Sequence, residues 1–115
     1  MKYIVFEAKR GWWWRMVFPN NATVCGPREA FARRRNARRA FEAFARSVLE
    51  PVNMGARVVS EFKVKRSGSR WLWRYVSANG RLMAHSLKGF KSEAEAWDSI
   101  NKVKAALARG VSLDA

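Results

Sequence analysis

The chain contains one cysteine and one histidine among its 115 residues. Cys25 has no second cysteine to pair with, which excludes an internal disulfide framework and a zinc site built from several thiolates. His85 has no second histidine with which to form a cluster. Gly-rich phosphate loops, nucleophile elbows, paired histidines on a helix and carboxylate dyads are also absent from the sequence. We therefore expect no catalytic residues, no metal, no cofactor and no enzymatic activity.

Long apolar runs are absent too. No stretch approaches the ~18 residues that a transmembrane helix requires. The N-terminal apolar stretch is interrupted by Glu7, Lys9 and Arg10 and lacks a small-residue cleavage site, so it makes a poor signal peptide. These features predict a cytoplasmic protein that is not an integral membrane protein, in a bacterium or in the host cytoplasm if the gene belongs to a phage.

Acidic residues are scarce. Nine Asp and Glu stand against 23 Lys and Arg, for a net charge of +14, whereas hydrophobic residues make up 49% and aromatics 13% of the chain. A disordered chain has few aromatics, so this composition predicts a folded, strongly basic protein.

Arginine side chains suit phosphate, because the planar guanidinium fork fits its geometry. The densest basic run lies in the first half and has two flanking members: Arg33, Arg34, Arg35, Arg38 and Arg39, with Arg28 before it and Arg46 after it.

The two halves of the chain repeat each other. A shift of 59 residues places Trp12 on Trp71 and, without gaps, aligns residues along the whole half-chain. Each copy has the same order of signals, namely a short apolar strand, a glycine turn (Gly11 and Gly68), an alternating aromatic strand, an Asn-containing turn, a third strand, a helix and a last short strand. A unit of about 55 residues is marginal alone, so two units sharing a sheet are expected. We predict one domain over residues 1–115, with repeat 1 at 1–56, repeat 2 at 60–115, and 50–60 as the connection.

The second copy resembles the YegP-like family of small uncharacterised bacterial and archaeal proteins. The residues that carry the resemblance are Trp73-Arg74 on a strand, Asn79-Gly80 in a turn, residues 82–86, and Phe90-Lys91-Ser92 at the opening of a helix. The first copy departs from this pattern, with Asn20-Asn21 at the turn and Arg33 at the helix opening. The resemblance implies an α+β fold in which two tandem β3-α-β repeats share one antiparallel sheet, a helix from each repeat packs on one face, and the final strands are exchanged. It implies no activity. A weaker likeness, at the level of fold only, is to three-stranded domains that lay a sheet in the DNA major groove.

The two helix entrances differ in charge. The second copy has Ser92 with Glu93, Glu95 and Asp98, which suit the positive end of a helix dipole. The first copy has arginine at positions 33, 34 and 39 instead, so its helix is expected to be less stable by itself. A bound phosphate would reverse that penalty, because helix N-termini and guanidinium groups both bind anions. The alternative is an ordinary solvated basic face whose arginine stems cover apolar surface.

The aromatic strands have two faces. Strand alternation places Trp12, Trp14 and Met16 on one face, expected to form the core with the helices, and the matching residues of the second copy do the same. Trp13, Arg15 and Arg74 lie on the other face, where they could stack on bases and contact phosphates. Packing of other strands or a partner chain over this face is the alternative.

These features favour a nucleic-acid-binding module that contacts the phosphate backbone, with DNA preferred over RNA as the ligand. The predicted contacts are Arg28, Arg33, Arg34, Arg35, Arg38, Arg39 and Arg46, with Trp13, Arg15 and Arg74 secondary. A regulatory module of phage or plasmid origin that binds an acidic protein is the second hypothesis. Binding to an anionic membrane surface through the first helix is a third. The chain is expected to be a monomer or a homodimer.

Overall fold

The computed structural model describes residues 1–50 and 61–114. The predicted connection at 50–60 and the last strand of the first repeat at 52–54 therefore lie outside the described residues, apart from Glu50. The elements, in chain order, are β1 (Lys2–Ala8), β2 (Gly11–Val17), β3 (Thr23–Gly26), α1 (Arg34–Leu49), β4 (Glu61–Ser67), β5 (Arg70–Val76), β6 (Leu82–Ser86), α2 (Glu93–Arg109) and β7 (Ser112–Asp114).

The repeat is visible in the strand register. Lys2 pairs with Val17 in the first copy and Glu61 pairs with Val76 in the second, and all seven pairs of each hairpin keep the 59-residue correspondence. The irregularity after Met16 recurs after Tyr75. Equivalent sequence positions therefore have equivalent backbone positions, which allows the two copies to be compared residue by residue.

The described strands form one seven-stranded sheet in the order β4-β5-β6-β3-β2-β1-β7. The two copies meet where β3 pairs with β6, with Cys25 opposite Ser86. The last strand of the second copy lies beside the first strand of the first copy, as the exchange of final strands predicted. The predicted antiparallel sheet is mixed at this edge, because β7 runs parallel to β1. β7 reaches this edge because α2 carries the chain from β6, in the middle of the sheet, to the far side of β1.

Both helices pack on the same face of the sheet and share one core. The indoles of Trp14 and Trp73 are fully buried, and Phe44 of α1 contacts the ring of Tyr75 with 5.4 Å between centroids. The predicted inward face of β2 and β5 is thus confirmed for these strands' central residues. Trp12 and Trp71, near the strand ends, are only half-buried. The buried core residues are Tyr3, Trp14, Met16, Val24, Cys25, Phe41, Phe44, Trp73, Tyr75, Ala84, Ile100, Val103 and Leu107.

The glycine predicted at the first turn has a different role. The turn consists of Lys9 and Arg10, and Gly11 begins β2. Its φ is +136°, and a Cβ there would lie 2.4 Å from the carbonyl oxygen of Phe31. Trp12 and Phe31 exchange two backbone hydrogen bonds of 2.7 Å beside it. Gly11 is therefore needed because the β3–α1 loop crosses the strand closely at this point.

Candidate functional site: an arginine ridge on the first helix

Three exposed arginines of α1 form one ridge along its solvent side. Arg35, Arg39 and Arg46 are all exposed, whereas Ala37, Phe41 and Phe44 on the opposite side are buried. Their spacing of four and seven residues keeps them on one side of a helix with 3.6 residues per turn. With a rise of 1.5 Å per residue, the ridge spans about 16 Å along the helix axis. We call Arg35, Arg39 and Arg46 the arginine ridge.

Two further arginines lie on the flank that faces β1. Arg38 Nε donates to Glu42 Oε1 over 3.2 Å, and both side chains are about half exposed. An exposed pair of this kind contributes little to stability, and Glu42 offsets one positive charge on this side of the helix, between Arg39 and Arg46. Burial raises the pKa of the Tyr3 hydroxyl, Glu42 raises it further, and Arg38 and Arg34 lower it. Arg34 and Arg38 are therefore placed beside the Tyr3 side of the helix, next to the ridge.

The entrance of α1 lacks a side-chain cap. Arg33 occupies the N-cap with an extended backbone and makes no capping hydrogen bond, and no acidic residue lies in the first turn. In α2, Ser92 Oγ accepts from the backbone N–H of Glu95 over 3.2 Å, and Glu95 Oε2 accepts from the backbone N–H of Lys91 over 3.0 Å. The predicted cap of α2 is thus confirmed. In a standard capping box the Glu95 carboxylate would accept from the N–H of the N-cap residue Ser92, whereas here it accepts from the N–H of the preceding residue, Lys91. Arg33, Arg35 and Arg39 have no ion-pair or hydrogen-bonded side-chain partner within 1–50 and 61–114.

The other predicted site residues are divided between two regions. Arg28 is exposed in the β3–α1 loop, on the side of α1 that faces the second repeat. Trp13, Arg15 and Arg74 lie on the sheet face opposite the helices, where Arg15 sits over the Phe6 ring at 4.9 Å from its centroid. Arg15 and Arg74 are exposed, and Trp13 Nε1 donates to the Lys9 carbonyl over 2.9 Å. The ridge and this sheet face are consequently two separate basic surfaces.

Sequence reasoning missed an open cleft beside the ridge. It lies between the β3–α1 loop, α1 and the β5–β6 turn, and its volume is about 930 Å³. Arg28 and Arg81 contribute to its walls, and Ala40 and Ala43 of α1 to its lining. Its walls come from both repeats, so linear spacing carries no direct signal for it. The one available hint is that Ala40 and Ala43 replace Ser99 and Lys102 in the repeat alignment.

The comparison with known proteins concerns the fold. A UPF0339 protein of Shewanella oneidensis, solved by NMR in solution, superposes with a TM-score of 0.73, at 13% sequence identity, over 98% of this chain and 89% of that one. UPF0339 is the YegP-like family, so this chain has the YegP-like fold. The likeness extends to the mixed sheet with two helices on it, which agrees with the predicted α+β class. No family model matches the sequence, and no curated protein matches it.

Residues 1–50 and 61–114 contain neither a membrane-spanning helix nor a cluster of metal-ligating side chains. Neither α1 nor α2 is apolar enough to cross a membrane. Within 1–50 and 61–114, no group of three or more His, Cys, Asp or Glu side chains is placed to hold a metal ion. Cys25 is fully buried, and burial raises the pKa of its thiol.

Proposed function

We propose that this protein is a small, non-enzymatic nucleic-acid-binding module that contacts mainly the phosphate backbone, with DNA preferred over RNA. The observation that carries the proposal is the arginine ridge, three exposed guanidinium groups on one side of α1 with no carboxylate partner among the described residues. The repeat-equivalent positions in α2 are Ala94, Asp98 and Ala105. The basic surface is therefore a property of one copy and not of the fold.

The electrostatics of the helix entrance support the same function. Cations at the positive end of a helix dipole destabilise the helix unless an anion lies nearby. A phosphate at the uncapped entrance would accept from the free first-turn N–H groups and from Arg33 or Arg34. Phosphates further along a nucleic acid chain would then follow the ridge. Trp13, Arg15 and Arg74 would provide a second contact surface on the opposite face of the sheet, for another strand or another segment.

The membrane-surface alternative lacks the apolar face that it requires. Phe41 and Phe44, the aromatic side chains of α1, are 2% and 0% exposed because they pack in the core, so a single Leu49 is the exposed large apolar side chain of this helix. An interfacial helix must present such residues to lipid. We therefore do not retain this alternative.

The experiment is a salt titration of binding to a duplex DNA, a single-stranded DNA and an RNA of equal length. Because each neutralised phosphate contributes about 0.9 to the slope of log K against log salt on duplex DNA, replacing Arg35, Arg39 and Arg46 by alanine should lower the slope by about 2 to 3. The matched control removes three exposed cations on or beside α2, away from both proposed contact surfaces: Lys91, Lys104 and Arg109. An unchanged slope in the ridge variant would refute the assignment of this surface.

A second candidate function is binding of an acidic protein, which one observation favours. Leu49 is 47% exposed at the C-terminal end of the ridge, where it follows Arg46 by three residues and neighbours it on the helix surface. A large exposed apolar side chain bordered by cations suits a protein interface with an acidic partner. Saturable one-to-one binding of a single protein, lost in Leu49→Ala and accompanied by no retention on DNA or RNA, would favour this candidate.

The remaining parts of the proposal concern kinship and location. We propose that the chain is a divergent YegP-like protein that acts in the cytoplasm, as a monomer or a homodimer. The shared fold and the Asn79-Gly80 turn support the kinship. Sedimentation of the purified protein with and without DNA would determine the oligomeric state.

A further inference from the structure

The tandem repeat builds two equivalent clefts, and they have become different. Cleft A is the 930 Å³ cleft between the β3–α1 loop, α1 and the β5–β6 turn. Cleft B lies between the β6–α2 loop, α2 and the β2–β3 turn, and has a volume of about 350 Å³. Each cleft combines a loop and helix of one repeat with a turn of the other. The two clefts therefore share their architecture and differ in the residues that line them.

The side chains of the helices account for the difference. Ala40 and Ala43 line cleft A, and their equivalents in cleft B are Ser99 and Lys102. Lys102 Nζ lies 3.1 Å from Asp98 Oδ2, so an ion pair borders cleft B. The residue equivalent to Asp98 is Arg39 of the arginine ridge. Cleft A is thus larger, and Arg39 stands beside it at the helix position where Asp98 lines cleft B. On the loop side the exchange is reversed, because Glu29 lines cleft A where Lys88 lines cleft B.

The lining of cleft A suits a flat apolar group with polar edges. Phe31, Ala40 and Met83 contribute apolar surface, and the phenyl ring of Phe31 is half-buried. On the opposite side, Asn79 Oδ1 accepts hydrogen bonds from Ser77 Oγ and the Arg81 N–H, and its amide N–H₂ has no protein partner among the described residues. The site therefore offers a stacking surface together with a free hydrogen-bond donor.

Two arginines and one carboxylate, Glu29, stand around this apolar lining. Arg28 lies on the loop wall and Arg81 on the turn wall. Arg39 precedes Ala43 by one helical turn, so the ridge runs into the lip of the cleft. A nucleotide chain places an anion beside every flat aromatic group, which matches an apolar cleft with cations at its rim. An acidic peptide offers the anions without the regular aromatic groups.

We propose that cleft A takes up an unpaired base of a single-stranded nucleic acid whose phosphates lie along the arginine ridge. This inference rests on the proposed function and adds single-strand recognition to it. Cleft B is the repeat-equivalent site, and it lacks the capacity to take up a base. Its lining contains two carboxylates and two larger polar residues: Glu95, Asp98, Ser99 and Lys102. The protein then has one base-binding site per chain.

The test compares a twelve-nucleotide thymidine strand with an abasic strand of the same length, by fluorescence anisotropy at low salt. Backbone contact alone predicts equal affinities. Stacking of one base predicts that the wild-type protein binds the thymidine strand about 5- to 150-fold more tightly. Equal, salt-sensitive binding of both strands would overturn the inference and leave the proposed function standing. Binding of neither strand, nor of duplex DNA, would refute both.

Two variants assign the effect to cleft A. Ala43→Phe fills the cleft from an exposed helix position and should abolish the preference for bases without weakening abasic binding. Ala105→Phe, at an exposed position of α2 that lines neither cleft, is the control and should keep the preference.

The second variant is Ala40→Ser with Ala43→Lys, which copies cleft B and adds a positive charge. It should bind the abasic strand at least as well as wild type and still lose the preference for bases, a combination that loss of charge cannot produce. Preserved preference in both cleft variants would overturn the inference. A poly-glutamate peptide that binds more tightly than either strand, and is weakened by Ala43→Phe, would overturn it in favour of a peptide groove.

Discussion

Trp73 Nε1 donates a hydrogen bond to Ser99 Oγ over 3.1 Å in the buried interior. The repeat-equivalent Trp14 faces an alanine position, because Ala40 stands where the second copy has Ser99. Trp14 Nε1 is buried and is without a hydrogen-bond partner in the described part of the chain. The residue that widens cleft A therefore also leaves a buried donor unpaired, at a cost of roughly 1–3 kcal/mol. A local loss of stability at this position is typical of a site under functional selection.

This pair gives a reciprocal prediction for stability. Ala40→Ser should raise the free energy of unfolding by about 1 kcal/mol, because it restores an acceptor for Trp14. Ser99→Ala should lower the free energy of unfolding by about 1–3 kcal/mol by leaving Trp73 unpaired. Chemical denaturation followed by tryptophan fluorescence measures both. A destabilised Ala40→Ser variant would show that the serine hydroxyl does not reach Trp14.

The two helix entrances provide a matched pair of capping variants. Ser92→Ala should lower the free energy of unfolding by about 1 kcal/mol, because it removes the acceptor of the Glu95 N–H. Arg33→Ala should leave it nearly unchanged, since Arg33 makes no capping hydrogen bond. Arg33→Ser should raise it by roughly 0.5–1 kcal/mol in the absence of nucleic acid.

Bound nucleic acid should stabilise the wild-type entrance of α1 more than the entrance of the Arg33→Ser variant. With a saturating single strand present, the thermal midpoint of the wild type should rise more than that of Arg33→Ser, because bound phosphate stabilises the arginine entrance. Equal ligand-induced shifts for the two proteins would count against an anion at this helix end.

The buried thiol predicts a dependence of stability on alkaline pH. Burial raises the pKa of the Cys25 thiol well above its usual range. The unfolded thiol ionises first, at a pKa of about 8.5, so the contribution to stability is complete below that pH and is lost as pH rises above it. From this group alone, the free energy of unfolding should fall by at most about 1.4 kcal/mol per pH unit.

Cys25→Ala isolates this contribution. Between about pH 8 and about pH 9.5, below the range in which lysines titrate, the free energy of unfolding should fall less steeply with pH for the variant than for the wild type, even if the variant is less stable at every pH. Parallel declines would show that the thiol is not protected in the folded state. Native protein should also resist thiol alkylation until it is unfolded.

The close crossing at Gly11 predicts a large cost for a small substitution. Gly11→Ala should lower the free energy of unfolding by more than about 2 kcal/mol, because a Cβ would clash with backbone and the positive φ is unfavourable. Gly68→Ala is the control, because its φ is also positive but no atom lies within 4 Å. It should cost only about 1 kcal/mol. Equal costs would mean that the β3–α1 loop moves aside freely.

Much of the fold is predictable from the sequence because the repeat constrains it. The match of Trp12 with Trp71 aligned all elements of the two copies, and period-two alternation identified Trp14 and Trp73 as buried. Ser92 stands at the predicted start of α2. Gly11 was assigned to a turn incorrectly, since its role depends on a loop twenty residues away. The parallel β7–β1 pair was not predicted either, because strand direction at an edge is decided by the crossover of α2.

The sequence by itself determined the repeat, the hydrophobic faces and the concentration of arginine on one helix, because these depend on spacing within a single element. Tertiary structure alone decided that β7 runs parallel to β1 at the edge of the sheet. It also decided that Ala40, Ala43, Arg28 and Arg81 line one cleft. The β3–β6 pairing brings a loop of one repeat against a turn of the other, and contacts between residues so distant in the chain leave no local pattern.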